Sequence, residues 1–209
     1  MQCEAPDKRF FGELQDLNRE FLALLTDSRA GEAAWRSLGL APATASQLRS
    51  LSAAELDFIA SVPGLLADFR RLPGSLGVSE RPPADATLDG EWLQAAAVFT
   101  AGLLTYLWQL SRRDRLLTAI CLGPGPDPRQ SIRAVSFKDI QHCAMHSAAE
   151  LRTRLGWHPH WWADLLEAAR SGDTDQRERC RLDLIALGLG RDPARPFPRS
   201  KNPQRPSGR

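Results

Sequence analysis

No CxxC pair, no GxSxG elbow and no dinucleotide fingerprint occurs in this 209-residue sequence, so the short signatures of structural zinc, acyl-transfer chemistry and nucleotide binding are missing. The four cysteines, Cys3, Cys121, Cys143 and Cys180, are scattered without metal or disulfide spacing. With no secretory leader in front of them, they are expected to be reduced, mostly buried thiols in a cytoplasm. Gly123-Pro124-Gly125-Pro126 lacks the Gly-Lys-Ser/Thr ending of a phosphate loop and puts prolines where amide donors are needed. His142 and His146 stand four apart on an expected helix with Cys143 beside them, but no HExxH acid and no third ligand accompany them. His158 and His160 flank a proline among Trp157, Trp161 and Trp162, a pattern that suits a packed turn or an interface better than a catalytic imidazole. No enzyme, cofactor or metal is expected. Alternating β-type runs are absent too, which points to an all-α chain.

What is present divides unevenly by charge. Arg191, Arg195, Arg199, Lys201, Arg205 and Arg209 face only Asp192, a surplus of five that leaves the rest of the chain at −3 out of a total of +2. Five prolines, Pro193 to Pro206, deny this end a helix or a central strand, so residues 191–209 are expected to form an extended basic tail. Such a tail is either a solubilising end or an electrostatic arm for nucleic acid. Trp92 to Leu110 runs uncharged into Arg112 and Arg113 and superficially resembles a short membrane span. Gln94, Thr100, Thr105 and Gln109 interrupt it, and a buried core helix fits better; no membrane association is expected.

Apolar residues from Phe10 to Ser28 recur at three- and four-residue steps, which predicts an amphipathic helix. A short helix from Ala33 to Leu38 should close on Gly39, and Pro42 should open the next. Ser52 and Glu55 have capping-box spacing ahead of a helix that Pro63 and Gly64 stop. Leu38 to Ala60 then overlays Leu122 to Ala144 without a gap: Leu38/Leu122, Gly39/Gly123, Pro42/Pro126, Arg49/Arg133, Ser52/Ser136 and Ala60/Ala144 are identical. A unit of one long helix and a short helix-turn-helix is therefore expected twice. Residues 1–72 form the first unit, 73–90 the linker, 91–155 the second unit, 156–190 a further C-terminal helical segment and 191–209 the tail. The second long helix should reach Cys121, a short helix should cover Pro128 to Ala134, and Ser136 with Asp139 should cap a helix through His146. Beyond Trp162, one helix is expected up to Ser171 and another over Arg181 to Gly190.

The string Leu38-Gly39-Leu40, Ala45, Leu48, Leu51, Ser52, Leu56, Ala60, Leu65, Leu66, Phe69 and Arg70 resembles FlhD, the helical subunit of the bacterial flagellar master regulator, in order and spacing. The likeness covers Leu38 to Arg70 and extends to Phe10–Trp35 by helical pattern and to the second unit in weakened form. It implies an all-helical, dimerising protein that works with a zinc-binding FlhC-like partner in a transcription activator of flagellar or mobile-element genes. An FlhD-like protein is normally a single unit, so a tandem chain replaces a homodimer with an intramolecular pair, or forms homo-oligomers of its own.

A helix-turn-helix reader needs basic and amide side chains on the helix that enters the groove. In the first unit Ser52 to Ser61 offers Glu55 and Asp57 and no basic residue. The second offers Arg129, Gln130 and Arg133, then Lys138, Gln141 and His142, and the tail adds Arg195, Arg199, Lys201 and Arg205. These are the candidate DNA contacts, each of which also fits an ordinary solvated helix face. The expected role is accessory: a helical body binds the partner that reads DNA, while the second unit and tail add phosphate attraction. The alternative is a helical adaptor or secretion chaperone without DNA contact.

Overall fold

The computed structural model describes residues 8–69, 88–122, 132–140, 147–156, 158 and 160–188. These are mostly helical, with one small two-stranded sheet. The elements are α1 (Lys8–Thr26), α2 (Glu32–Ser37), α3 (Pro42–Arg49), α4 (Ala53–Ala60), β1 (Ala67–Phe69), α5 (Gly90–Arg113), α6 (Arg115–Leu122), β2 (Leu151–Thr153), α7 (Trp161–Ser171) and α8 (Thr174–Gly188). Residues 132–134 and 137–140 are also helical, and a 3-10 turn over Ser147–Glu150 leads into β2.

The apolar stripe of α1 buries Leu14, Phe21, Leu22, Leu24 and Leu25, as its periodicity requires. Asn18 lies among them at 1% exposure. Its Nδ2 donates to the carbonyls of Ala60 at 3.1 Å and Gly64 at 2.9 Å, and its Oδ1 accepts from the Leu66 amide at 3.0 Å. One side chain thus satisfies three backbone groups where the chain leaves α4 and enters β1, groups that no helix or ladder could pair there.

At the far end of α1, Arg49 of α3 donates to the carbonyls of Thr26, Asp27 and Ala30, and its guanidinium lies 4.5 Å from the Trp35 ring centroid. A cation on the last carbonyls of a helix both fills their hydrogen-bonding capacity and opposes the helix dipole. Gly39 sits at φ +72°, with its amide on Arg36 O at 3.0 Å and the Leu40 amide on Trp35 O at 2.8 Å. This closes α2 in the left-handed conformation that glycine adopts without steric cost. Gly39→Val is expected to cost about 1 kcal/mol or more; an unchanged melting temperature would show that the turn tolerates a β-carbon. Pro42 is at the first turn of α3, and Ser52 and Glu55 form a reciprocal capping box at α4.

The second long helix does not reach Cys121 unbroken. Asp114 interrupts it at φ −139°, ψ 114°, and its carboxylate accepts the amides of Leu116 and Leu117 to start α6. An aspartate that bonds backbone two and three residues on favours an N-cap over helix interior. Of the short helix expected over Pro128 to Ala134, 132–134 are helical, and 128–131 lie outside the described residues. Ser136 and Asp139 do make the predicted cap: the Asp139 amide donates to Ser136 Oγ at 3.2 Å. The C-terminal helix starts at Thr174, seven residues before the expected Arg181.

α5 runs antiparallel to α1. Phe21 stacks on Phe99 with centroids 5.4 Å apart, Phe10 stacks on Tyr106, Trp92 Nε1–H donates to Leu24 O at 3.1 Å, and Arg29 pairs with Glu91; as the number rises on one helix it falls on the other. By length and composition α5 could cross a membrane, yet Trp92, Ala96, Phe99, Leu103, Leu104 and Leu107 are buried in the same apolar cluster as the stripe of α1.

β1 and β2 pair antiparallel with Ala67 opposite Thr153, Asp68 opposite Arg152 and Phe69 opposite Leu151. Two further hydrogen bonds fix β2 to the first half of the chain: the Thr153 amide donates to Leu38 O at 2.7 Å and the Arg154 amide to Leu66 O at 2.7 Å. At Gly156 a β-carbon would come within 2.5 Å of Gly39 O, so the chain passes the Gly39 turn in direct backbone contact. α7 and α8 close over this region. Arg177 donates to the carbonyls of Ala168 and Ala169 and stands over the Phe58 ring, while Arg181 reaches Ser61 Oγ at 2.9 Å.

Candidate partner groove and basic patch

The antiparallel crossing of α1 and α5 leaves an open groove of about 760 Å³. Its α5 wall presents Ala97, Val98, Ala101 and Gly102, small residues that leave room for a partner backbone. Val98 is 65% exposed, well out of the core. The α1 wall carries Glu13, Asp16 and Glu20 along one helix face, Asp16 being paired with Arg19 of the same helix at 2.8 Å, and among the described residues no lysine or arginine lines the groove itself. The pattern follows from sequence: α1 keeps its apolar residues on the stripe turned to α4 and α5, so its charged residues fall on the remaining face. Tyr106 closes the groove beside Phe10, and its hydroxyl is buried with no hydrogen-bond partner among the described residues. Burial pushes the phenol well above its ordinary pKa, so it stays a neutral donor.

Of the candidate DNA contacts, Arg133 and Lys138 are described, and both are exposed. They share a segment anchored by Ile132 and Ile140, which are fully buried. Arg129, Gln130, Gln141, Arg195, Arg199, Lys201 and Arg205 lie outside the described residues, as does His142. The support on which the segment rests is not evident from the sequence. Trp108 of α5 donates Nε1–H to Val135 O at 2.9 Å, its ring lies 5.3 Å from that of Phe137, and the Arg112 guanidinium sits 4.4 Å from its centroid. Arg112 and Phe137 are thus exposed around the Trp108 ring, and the exposed Lys138 follows Phe137 in the chain. In the sequence Arg112 stands out only as a flank of an apolar run; the signal for its place here is Trp108, four residues before it on the same helix face.

The buried polar and thiol groups bear on packing. The Cys121 thiol is pushed up to about 12 by burial and stays protonated. Arg154 is 6% exposed and donates Nη1–H to the Cys121 carbonyl, while its own carbonyl accepts Trp162 Nε1–H at 3.2 Å. Burial lowers its pKa, opposed by Cys121 and Asp68. These two bonds tie α6 and α7 to the end of β2. Cys180 is also a free, buried thiol, and Cys3 and Cys143 lie outside the described residues. Among the described residues no three His, Cys, Asp or Glu side chains group as a metal site.

No protein-family model matches the chain, and neither a curated protein nor a solved structure matches it.

Proposed function

We propose that the chain is a non-enzymatic subunit of a bacterial transcription-regulatory complex, built from two FlhD-like units paired within one polypeptide. The observation that carries this reading is the β1–β2 pair. Its central residues, Asp68 and Arg152, are separated by 84 positions, the interval at which Leu38 to Ala60 overlays Leu122 to Ala144. Antiparallel pairing about two equivalent positions is the arrangement of a two-fold dimer. Other features agree with it. The Ser52–Glu55 cap has its counterpart in Ser136–Asp139. In the long helices, buried Leu14, Asn18, Phe21, Leu22 and Leu25 correspond, 82 residues on, to buried Ala96, Thr100, Leu103, Leu104 and Leu107. The extra two positions fall before α6, where Asp114 breaks the helix.

In this reading the groove between α1 and α5 takes a basic amphipathic helix of an FlhC-like partner. Its acidic wall attracts the cationic face and its small residues receive the apolar one. The partner reads DNA, while Arg112, Arg133, Lys138 and the tail add sequence-independent phosphate contacts. A second reading, a helical adaptor or secretion chaperone, is favoured by the groove alone, which needs no DNA to serve a partner.

Copurification followed by a gel shift on the promoter of the chain's own operon separates the two. A zinc-binding partner and a shifted promoter, with affinity reduced on trimming after Gly190, support the regulatory reading. A non-DNA partner without a shift supports the adaptor. Within the regulatory reading, neutralising Arg129, Arg133 and Lys138 together is expected to flatten the dependence of log K on log salt by about 0.9 for each phosphate that is no longer neutralised. An unchanged slope would assign all three to a solvated face.

A further inference from the structure

Asp68 and Arg152 face each other at the centre of the β1–β2 ladder, with Arg152 Nη2 2.9 Å from Asp68 Oδ2. Both side chains are half-buried, at 22% and 37% exposure, so solvent screens them less than it screens the outer ion pairs of α1 and α2. On the tandem reading, on which this inference rests, they occupy one and the same position in the two units. A residue at the centre of a two-fold antiparallel pair meets its own equivalent. If β1 paired with β1 of a second copy, Asp68 would stand against Asp68; if β2 paired with β2, Arg152 would stand against Arg152. Like charges directly opposite on a ladder repel.

The flanking positions do not discriminate in this way. In a β1–β1 pair Ala67 would oppose Phe69, both of them buried apolar residues here, and such a contact is acceptable. A β2–β2 pair would set Leu151 against Thr153, as tolerable as the present Ala67–Thr153 contact. Three-residue strands also contribute little register energy of their own. The central charge is therefore the element of the ladder that distinguishes a unit of the first kind from one of the second.

We infer that Asp68 and Arg152 determine pairing specificity: the strand surface of each unit accepts only the opposite unit, from the same chain or from a second copy of this chain. A single-unit protein cannot have this property, because its central residue always meets itself. Duplication followed by opposite charges converts a self-complementary surface into a directional one. In this structure the pair closes the chain on itself.

The test uses four full-length proteins: wild type, Asp68→Arg, Arg152→Asp and the doubly exchanged Asp68→Arg/Arg152→Asp. Mass is read by sedimentation and stability by urea denaturation. Wild type and the double exchange are expected to be monomers of 23.1 kDa with similar midpoints, and each single variant is expected to lose monomer and unfold at lower urea. Refolding the two single variants together at one to one should recover a discrete complex of twice the monomer mass, because the arginine introduced in one chain meets the aspartate introduced in the other.

Single variants that match wild type in mass and midpoint would overturn the inference. So would single variants rescued by the double exchange but giving no mixed dimer, a result that leaves an ordinary ion pair between two strands. Wild type cut by an engineered protease site between residues 73 and 87 provides the companion measurement. Fragments that stay joined one to one uphold the tandem reading whatever the charge variants do, whereas fragments that unfold overturn that reading and the inference with it.

Discussion

Asn18→Ala is expected to destabilise the chain by about 3–5 kcal/mol, because three buried backbone groups lose their partners in one substitution. The Ala60 and Gly64 carbonyls and the Leu66 amide are held by the two ends of one carboxamide at 2.9 to 3.1 Å. At 1% exposure the site is closed to bulk solvent. Loss of the carboxamide's packing contacts alone would cost less, so the size of the effect separates hydrogen bonding from packing. Asn18→Asp sharpens the test. It keeps an acceptor for the Leu66 amide but faces two carbonyls with an acceptor and buries a charge, so it is expected to be no better than alanine. Urea denaturation measures both variants; a loss below about 1 kcal/mol for Asn18→Ala would mean that the segment from Ala60 to Leu66 finds other partners. The consequence reaches past stability. That segment delivers β1 to its place, so a frayed Leu66 displaces Asp68 from Arg152.

Asn18 also marks the limit of what the amino-acid pattern conveys. Its position on the buried stripe of α1 follows from periodicity, but nothing local says that a polar residue there serves backbone forty-two or more positions away. What depends on neighbours in sequence is legible: the Ser52–Glu55 and Ser136–Asp139 caps, the Gly39 turn, Pro42 at a helix start and the two long helices. Caps and turns are made by groups three or four residues apart, and their chemistry is visible in any window that contains them. The break at Asp114 is hidden because apolar periodicity continues on both sides while the aspartate redirects the backbone. The start of α8 escapes notice because its first turns, Thr174 to Arg179, are polar throughout, Gln176 and Arg177 being the half-buried ones, so no apolar stripe announces them. The strands are beyond reach for a different reason. Three residues are too few to show alternation, and the partner lies 84 positions on, a closure set by tertiary packing. The groove is half legible. The acids of α1 stand in plain sequence, but only the crossing with α5 places Ala97, Val98, Ala101 and Gly102 opposite them.

That crossing is what Phe21→Ala probes. Phe21 is fully buried, Phe99 is 5% exposed, and the rings stack at 5.4 Å with planes 26° apart. Truncation removes a fully buried ring that α1 sets against α5 and is expected to cost about 3–5 kcal/mol through reduced burial and the cavity left behind. The form of the change carries more information than its size. If the halves were separate domains joined by a linker, the substitution would shift one unfolding transition and leave a second in place. Because the buried residues of α1, α5, α7 and α8 belong to one apolar cluster, a single transition is expected to move as a whole, followed alike by tryptophan fluorescence and by far-ultraviolet circular dichroism. A double-mutant cycle with Phe21→Leu and Phe99→Leu should give a coupling of about 0.5–1.5 kcal/mol, the usual range for an aromatic pair beyond its area. Two transitions, or coupling near zero, would mean that the helices merely lie side by side. The groove formed by the same two helices would then have no rigid floor, and a partner helix docking there would have to order it at a cost in affinity.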